Sequence, residues 1–450
     1  MSDKITCFKA YDARGKVPDE LNAEITYRIA RAYAEFVKPQ QVAVGRDVRQ
    51  SSEELFTALT DGLMDSGVDV LDLGLCGTEQ VYFAAFHLEI DGGIMITASH
   101  NPIDYNGLKF VRECARPLSG DSGLKDIHRI AEENSFSESS RQGSITRCDL
   151  ASDYVEHLLG YLSNRNNLKP LKIITNPGNG MAGPIIDLLA QKLPFEFIRI
   201  QHEPDGSFPN GIPNPLLPER RGATIEAIKA NNADLGVAWD GDFDRCFLFD
   251  HNGRYIEGYY IVGLLGAQLL KQHPGEHIVY DPRLIWNTID LVSQNNGVPV
   301  QSKSGHAFIK ETMREVNGIY GGEMSAHHYF RDFGYCDSGM IPWLLLADMI
   351  SNQSTTLAAL VDERIASYPV SGEINAEVAD PKAVMDKVYA HFAGLPHEID
   401  RTDGVGMDFG DWRFNLRASN TEPLLRMNVE SRADQALMEQ RRDEILELIS

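Results

Sequence analysis

A short apolar run followed by a segment of helical period recurs along most of the chain, and this alternation commits it to sheets covered by helices. In the first block, residues 20–37 place Leu21, Ile25, Ile29, Tyr33 and Phe36 at helical spacing. Residues 41–45 (QVAVG) read as a buried strand, 52–66 as a helix, 68–73 as a strand, 78–88 as a helix and 93–97 (GIMIT) as a strand. The polar segment 134–144 (NSFSESSRQGS) reads as a linker. A second block repeats the grammar with strands at 171–175, 195–200 and 234–239 and helices after residue 178 and over 219–231. A third block has helices at 258–272, 284–295 and 306–316 between strands at 277–281, 298–302 and 319–321. The tail differs: short strands (GVGMDFG, DWRFNLRAS, LLRMNVES) lie between helices at 381–392 and 434–449, an α+β pattern. The expectation is three related α/β domains over 1–145, 146–250 and 251–368, followed by an α+β domain over 369–450. A weak internal triplication fits the three blocks, but their residues share no clear identity.

The length of 450 residues agrees with several cores, at ~150 residues per domain. The formal net charge of −23 disfavours nucleic acid and anionic membranes as partners. A phosphorylated ligand would need a local basic pocket against that background. Six cysteines are dispersed with no C-x-x-C pair, and no apolar run approaches the ~18 residues of a membrane span. The N-terminus MSDKITCFKAYDARG has no signal-peptide core. A cytoplasmic protein with reduced thiols is expected.

Four motifs carry groups suited to chemistry. T-A-S-H-N-P (97–102) follows the strand GIMIT and presents Ser99, whose hydroxyl can accept a phosphoryl group. Read alone, it is also a turn that satisfies its own backbone. D-G-D-F-D-R (240–245) follows the strand DLGVAW. Asp240, Asp242 and Asp244 repel one another unless a cation sits among them, and oxygen-only ligands favour Mg²⁺ or Ca²⁺. A solvated acidic turn is the plainer reading. G-G-E-M-S-A-H-H (321–328) places Glu323 and Ser325 two apart after a strand, a pairing suited to neighbouring sugar hydroxyls or to nothing more than a strand end. His327 and His328 lack the partner spacing of a metal site. R-A-S-N-T-E-P (417–423) offers the Arg417 fork with Ser419, Asn420 and Thr421, an inventory that suits a phosphate dianion or an ordinary hairpin turn. Arg14 in Y-D-A-R-G, Lys109 after N-G-L, and Gly305-His306 after K-S are single residues of either kind.

In this order and combination the motifs resemble the α-D-phosphohexomutase family over essentially the whole chain. The text, including FKAYDARGK and EGYYIVGLL, is most like the bacterial members that handle mannose phosphates for GDP-mannose synthesis. Two departures are Ala13, where the family more often has a larger apolar residue, and Ala326, where glycine is common and the methyl adds bulk beside the sugar-binding strand. The resemblance implies four domains around a central cleft. It implies Ser99 as a phosphoserine, with Asp240, Asp242 and Asp244 holding Mg²⁺ beside it. It places Arg14, His100, Lys109 and Arg245 at the reacting centre, with Lys109 or His100 handling the hydroxyl proton. Glu323 and Ser325 would bind sugar hydroxyls, and Arg283, Gly305, His306 and His327 would help to hold substrate. Arg417, Ser419, Asn420 and Thr421 would take the non-reacting phosphate.

The implied ligands are hexose phosphates, with a hexose 1,6-bisphosphate as intermediate and activator, and the implied assembly is a monomer or homodimer. The expected reaction moves a phosphate between C1 and C6 of a hexose, mannose in the first instance. Rival readings are a glucose-specific or dual-specificity mutase, a Mg²⁺-dependent sugar phosphatase and a non-catalytic sugar-phosphate sensor.

Overall fold

The computed structural model describes residues 4–418 and 424–450. The chain separates into two compact units, Met1–Tyr255 with Asp332–Ser354 and Ile256–Arg331 with Thr355–Ser450. Among the described residues no helix is long and apolar enough to cross a membrane. The six cysteines are free thiols.

The first unit contains two mixed sheets. In the first sheet the strands run in the order Ala13–Lys16, Tyr105–Arg112, Gly92–Ile96, Gln41–Arg46, Asp69–Leu75 and Ile145–Arg147. Pairing is parallel among the last four and antiparallel on both sides of Tyr105–Arg112. The helix Ala23–Val37 covers this sheet with Ile29, Ala30 and Tyr33, and Asn22 caps it by accepting from the Ile25 N–H at 3.0 Å. Capping fixes the start at Ala23, two residues after the first apolar position, Leu21. Residues 134–144 lead from the helix Lys125–Glu133 to the strand Ile145–Arg147, which pairs with Asp69–Leu75 at the edge of this sheet. In the second sheet the order is Cys246–Asp250, Leu235–Trp239, Lys172–Asn176 and Glu196–Arg199, antiparallel only at its first pair.

The second unit holds strands in the order Val298–Gln301, His277–Tyr280, Tyr320–Gly322 and His328–Phe330, antiparallel only at the last pair. Its other sheet is fully antiparallel, in the order Ile374–Glu377, Leu424–Ser431, Trp412–Ala418, Val405–Asp408 and Glu398–Asp400. Phe392, Trp412, Phe414, Met438 and Ile445 form the core against it.

The three mixed sheets share one topology, which settles the triplication that the residues alone leave open. Number four strands of each in chain order: 41–46, 69–75, 92–96 and 105–112; 172–176, 196–199, 235–239 and 246–250; 277–280, 298–301, 320–322 and 328–330. Each set lies in the spatial order fourth, third, first, second, with the fourth strand antiparallel. In each the third-to-fourth connection is a tight return between paired strands, and it carries T-A-S-H-N-P, D-G-D-F-D-R or E-M-S-A-H. In the fourth sheet Arg417 and Ala418 end the strand Trp412–Ala418, which pairs antiparallel with Leu424–Ser431; the rest of R-A-S-N-T-E-P lies outside the described residues. A return of this kind holds both of its ends in hydrogen-bonded strands, so its side chains are aimed by the sheet.

Helix Ile341–Gln353, absent from the sequence reading, is buried along almost its whole length in the first unit. Its Trp343 meets Trp239 edge-on at 6.5 Å and Phe197 at 6.1 Å between ring centroids. The Trp239 indole N–H also donates to the Gly339 carbonyl at 2.9 Å. This brace fixes the residue that immediately precedes Asp240.

Candidate active site

Ser99 stands in a strained turn. Its φ is +50°, a left-handed conformation that costs a non-glycine residue roughly 1–2 kcal/mol. Buried bonds hold it there. The Ser99 N–H donates to Thr97 Oγ1 at 2.9 Å, and Thr97 Oγ1 donates to Asp47 Oδ2 at 2.7 Å. Asp47 Oδ1 accepts from Ser52 Oγ at 2.6 Å and from the Arg49 N–H at 3.0 Å. The Arg49 guanidinium, 3% exposed as a residue, donates to four carbonyls of one loop: Ser99 and Asn101 from Nη2 at 2.9 and 2.7 Å, Pro102 and Tyr105 from Nη1 at 2.8 and 2.9 Å.

The two loops of the first unit touch. A Cβ on Gly241 would stand 2.6 Å from the Ser99 carbonyl oxygen, so only glycine allows this approach. Ser99 Oγ donates to Asp240 Oδ2 at 2.7 Å. Asp240, Asp242 and Asp244 are all buried, and one carboxylate oxygen from each lies within 4.8 Å of the others. Lys109 Nζ donates to Asp242 Oδ2 at 2.6 Å and Asp244 Oδ2 at 2.7 Å. Arg245 donates to Asp240 Oδ2 from Nη2 at 2.7 Å and from Nε at 3.0 Å. Thr78 Oγ1 donates to Asp242 Oδ2 at 2.5 Å.

Burial, opposed by Arg245 but reinforced by Asp244 and Asp242, pushes the Asp240 carboxyl up to about 7. The buried Asp242 Oδ1 accepts no hydrogen bond among the described residues. A convergent, oxygen-only donor set with an unpartnered buried carboxylate oxygen fits a hard divalent cation.

His100 Nδ1 lies 3.0 Å from Ser99 Oγ and also contacts Arg245 Nη2. Burial and the nearby Arg245 and Arg14 hold the imidazole well below its ordinary range, so the ring is neutral. Burial works to lower Lys109, but Asp242 and Asp244 outweigh it and raise the ammonium above its ordinary range. Arg14 donates to Asn101 Oδ1 at 2.7 Å and to Asp12 Oδ2 at 2.5 Å, which places it beside the Ser99 loop.

In the second unit the Glu323 carboxylate accepts from the Gly305 N–H at 2.8 Å and the Tyr329 hydroxyl at 2.6 Å. Gly305, at φ +121°, opens the helix His306–Glu315, so His306 is its first residue. Ser325 Oγ lies 3.3 Å from His327 Nδ1 and accepts from Arg283 Nη2 at 3.5 Å. Arg283 grips Asp281 with two bonds, Nε to Oδ1 at 2.9 Å and Nη2 to Oδ2 at 2.8 Å. Ala326 has φ +69°, the reason glycine suits this position and a cost the methyl carries. Arg417 is the penultimate residue of the strand Trp412–Ala418 and donates to Glu373. Ser419, Asn420 and Thr421 lie outside the described residues.

The structure therefore brings together Arg14, Ser99, His100, Lys109, Asp240, Asp242, Asp244 and Arg245 in the first unit. In the second it brings Arg283, Gly305, Glu323, Ser325 and His327 together, with Arg417 linked to Arg283 through Glu373. Asp47, Arg49, Thr78 and Glu373 lie outside the four motifs, and Thr97 lies within T-A-S-H-N-P without a role of its own. A usable signal existed in V-G-R-D-V-R-Q-S-S, where charged residues directly follow a buried strand and precede a helix. Arg49→Lys replaces a planar fork with one ammonium that cannot reach four carbonyls. Its turnover is expected to fall about 10²-fold with KM little changed, because a small displacement of a reacting group is that costly. Steady-state kinetics on the folded variant check this.

Family models match the chain in series. They are described as phosphoglucomutase/phosphomannomutase alpha/beta/alpha domain I over residues 6–138, domain II over 152–253, domain III over 257–368 and C-terminal domain over 373–448. A phosphomannomutase of Salmonella montevideo is 57% identical over 455 aligned residues, covering 100% of both chains. A protein of Xanthomonas campestris pv. campestris named for phosphohexose mutases is 57% identical over 446 residues, covering 99% of each. The crystal structure of a phosphoglucomutase/phosphomannomutase family protein from Burkholderia thailandensis superposes with a TM-score of 0.89 at 32% identity, covering 100% of this chain and 97% of that one.

Proposed function

We propose that this chain, which belongs to the phosphoglucomutase/phosphomannomutase family, interconverts mannose 1-phosphate and mannose 6-phosphate through a phosphorylated Ser99 and a hexose 1,6-bisphosphate. One observation carries the reading. The Ser99 hydroxyl sits in a strained, clamped turn, 2.7 Å from a buried carboxylate cluster that Lys109 and Arg245 flank.

Asp240, Asp242, Asp244 and an oxygen of the Ser99 phosphate would hold Mg²⁺, which supplies positive charge where the transferring phosphoryl group gathers negative charge. The chain's own residues do the rest. A free sugar hydroxyl attacks the phosphorus of phospho-Ser99. The new O–P bond forms as the Oγ–P bond breaks. The hydroxyl proton ends on the departing Ser99 Oγ, relayed by the neutral His100, whose Nδ1 stands 3.0 Å from that oxygen, whereas Lys109 is engaged by two carboxylates. Arg245, Lys109 and Arg14 neutralise the migrating phosphate.

The bisphosphate then turns end for end, and its other phosphoryl group returns to Ser99. Glu323 and Ser325 hold sugar hydroxyls, with Arg283, Gly305, His306 and His327 around them. Arg417, Ser419, Asn420 and Thr421 hold the phosphate that is not reacting.

A coupled assay with mannose 1-phosphate and glucose 1-phosphate, with and without Mg²⁺ and a hexose 1,6-bisphosphate primer, tests the proposal. Expected is Mg²⁺-dependent isomerisation with the higher kcat/KM on mannose 1-phosphate. Higher kcat/KM on glucose 1-phosphate would replace the substrate. Inorganic phosphate released without isomerisation would replace the reaction.

A further inference from the structure

The arginine assigned to the distal phosphate already has a tenant. Glu373 immediately precedes the edge strand Ile374–Glu377 of the last sheet. Its Oε2 accepts from Arg417 Nη2 at 3.1 Å and from Arg283 Nη1 at 3.3 Å, and its Oε1 lies 3.6 Å from Arg426 Nη1. Three guanidinium groups thus surround one carboxylate.

Their other partners are unequal. Arg283 is held on its far edge by both oxygens of Asp281 and approaches Glu323 at 3.6 Å. Among the described residues Arg417 has one looser second carboxylate, Asp403 at 3.8 Å, and its buried Nε has no acceptor. The Arg417 side chain is 12% exposed and that of Glu373 is 22% exposed, so the pair is neither sealed nor freely solvated. Burial would raise the Glu373 carboxyl, but Arg283, Arg417 and Arg426 together pull it below its ordinary range. It is therefore a standing negative charge.

A phosphate dianion arriving at Arg417 meets this carboxylate on the same guanidinium. The two anions repel at contact distance in a partly desolvated place. Arg283 cannot easily follow the phosphate, because Asp281 holds it. We infer that Glu373 is a resident counter-ion, which the substrate's non-reacting phosphate displaces from Arg417 and which retakes Arg417 when that phosphate leaves. The inference rests on the proposed role of Arg417 as a phosphate ligand.

The consequence is kinetic. A bisphosphate that must turn round has to release its distal phosphate once per cycle. Bare arginines would grip that phosphate in the ground state, and uniform tight binding does not raise turnover. A carboxylate poised to take the arginine back weakens ground-state binding and speeds release.

The test uses the full chain and four variants: Glu373→Gln, Glu373→Asp, Arg417→Ala and Glu373→Gln with Arg417→Ala. Calorimetry measures binding of mannose 1-phosphate and, separately, of inorganic phosphate, and steady-state kinetics give kcat and KM. Neutralising one partner of a partly exposed ion pair is expected to tighten binding by about fivefold in Glu373→Gln and to lower kcat by a similar factor. Glu373→Asp, which withdraws the charge by one methylene, is expected between Glu373→Gln and wild type, and it decides the matter if Glu373→Gln does not fold.

The gain should vanish when Arg417 is absent, as a double-mutant cycle reads directly. Unchanged or weaker binding in a folded Glu373→Gln, beside an impaired Arg417→Ala, overturns the counter-ion alone. A gain that persists without Arg417 overturns it too. Arg417→Ala that binds both ligands as wild type does overturns the phosphate-site assignment beneath it.

Discussion

Ser99→Ala is expected to lose turnover by at least about 10³-fold while still binding hexose phosphates, because the group that carries the phosphoryl is gone. Ser99 Oγ is the hydroxyl that the first sheet aims at the carboxylate cluster, 2.7 Å from Asp240 and 3.0 Å from His100. The substitution removes a single oxygen. The bonds that hold the turn, from the Ser99 N–H to Thr97 and from Arg49 to the Ser99 carbonyl, are backbone bonds that alanine keeps. Stability should therefore change little, and a thermal melt separates lost chemistry from lost fold. Turnover within a few-fold of wild type, in a sample free of contaminating mutase, would remove Ser99 from the reaction.

The second large effect belongs to Asp242. Its Oδ2 receives Lys109 and Thr78, while its Oδ1 is buried without a partner among the described residues. Asp242→Asn keeps the volume and removes the charge. Turnover is expected to fall on the order of 10³-fold, the scale of losing one preorganised electrostatic contact to a developing charge. The readout independent of activity is thermal. At ten times its Kd, Mg²⁺ bound only to the native state should stabilise wild type by ~1.4 kcal/mol. The variant should show no such shift, and an undiminished one would place the cation elsewhere.

Much of the candidate site was legible because its chemistry demands particular side chains in particular places. A serine and three alternating aspartates, each directly after an apolar strand, announce groups presented at the end of a sheet. The elements that aim them were legible where amphipathic period survives, as in Ala23–Val37. Helix Ile341–Gln353 escaped because it is buried on nearly every side, and an apolar run without a polar face has no helical period to read.

The common strand order escaped for a different reason. Which strands pair is a tertiary property, and three sets of unlike residues satisfy one topology. Arg49 escaped because its partners are backbone carbonyls of residues 99–105, which leave no mark in side-chain spacing. Glu373 escaped because its three arginines lie at 283, 417 and 426, distant in sequence and joined only by the fold of the second unit.

On the proposed route phosphate travels between Ser99 and a hexose without passing to water. Enzyme carrying ³²P-phosphate on Ser99 can be mixed with unlabelled mannose 1-phosphate and Mg²⁺, quenched, and its products separated. The label is expected to leave Ser99 and to appear in hexose 1,6-bisphosphate and hexose 6-phosphate, with little inorganic phosphate. Label released as inorganic phosphate, or retained on the protein while isomerisation proceeds, would contradict it.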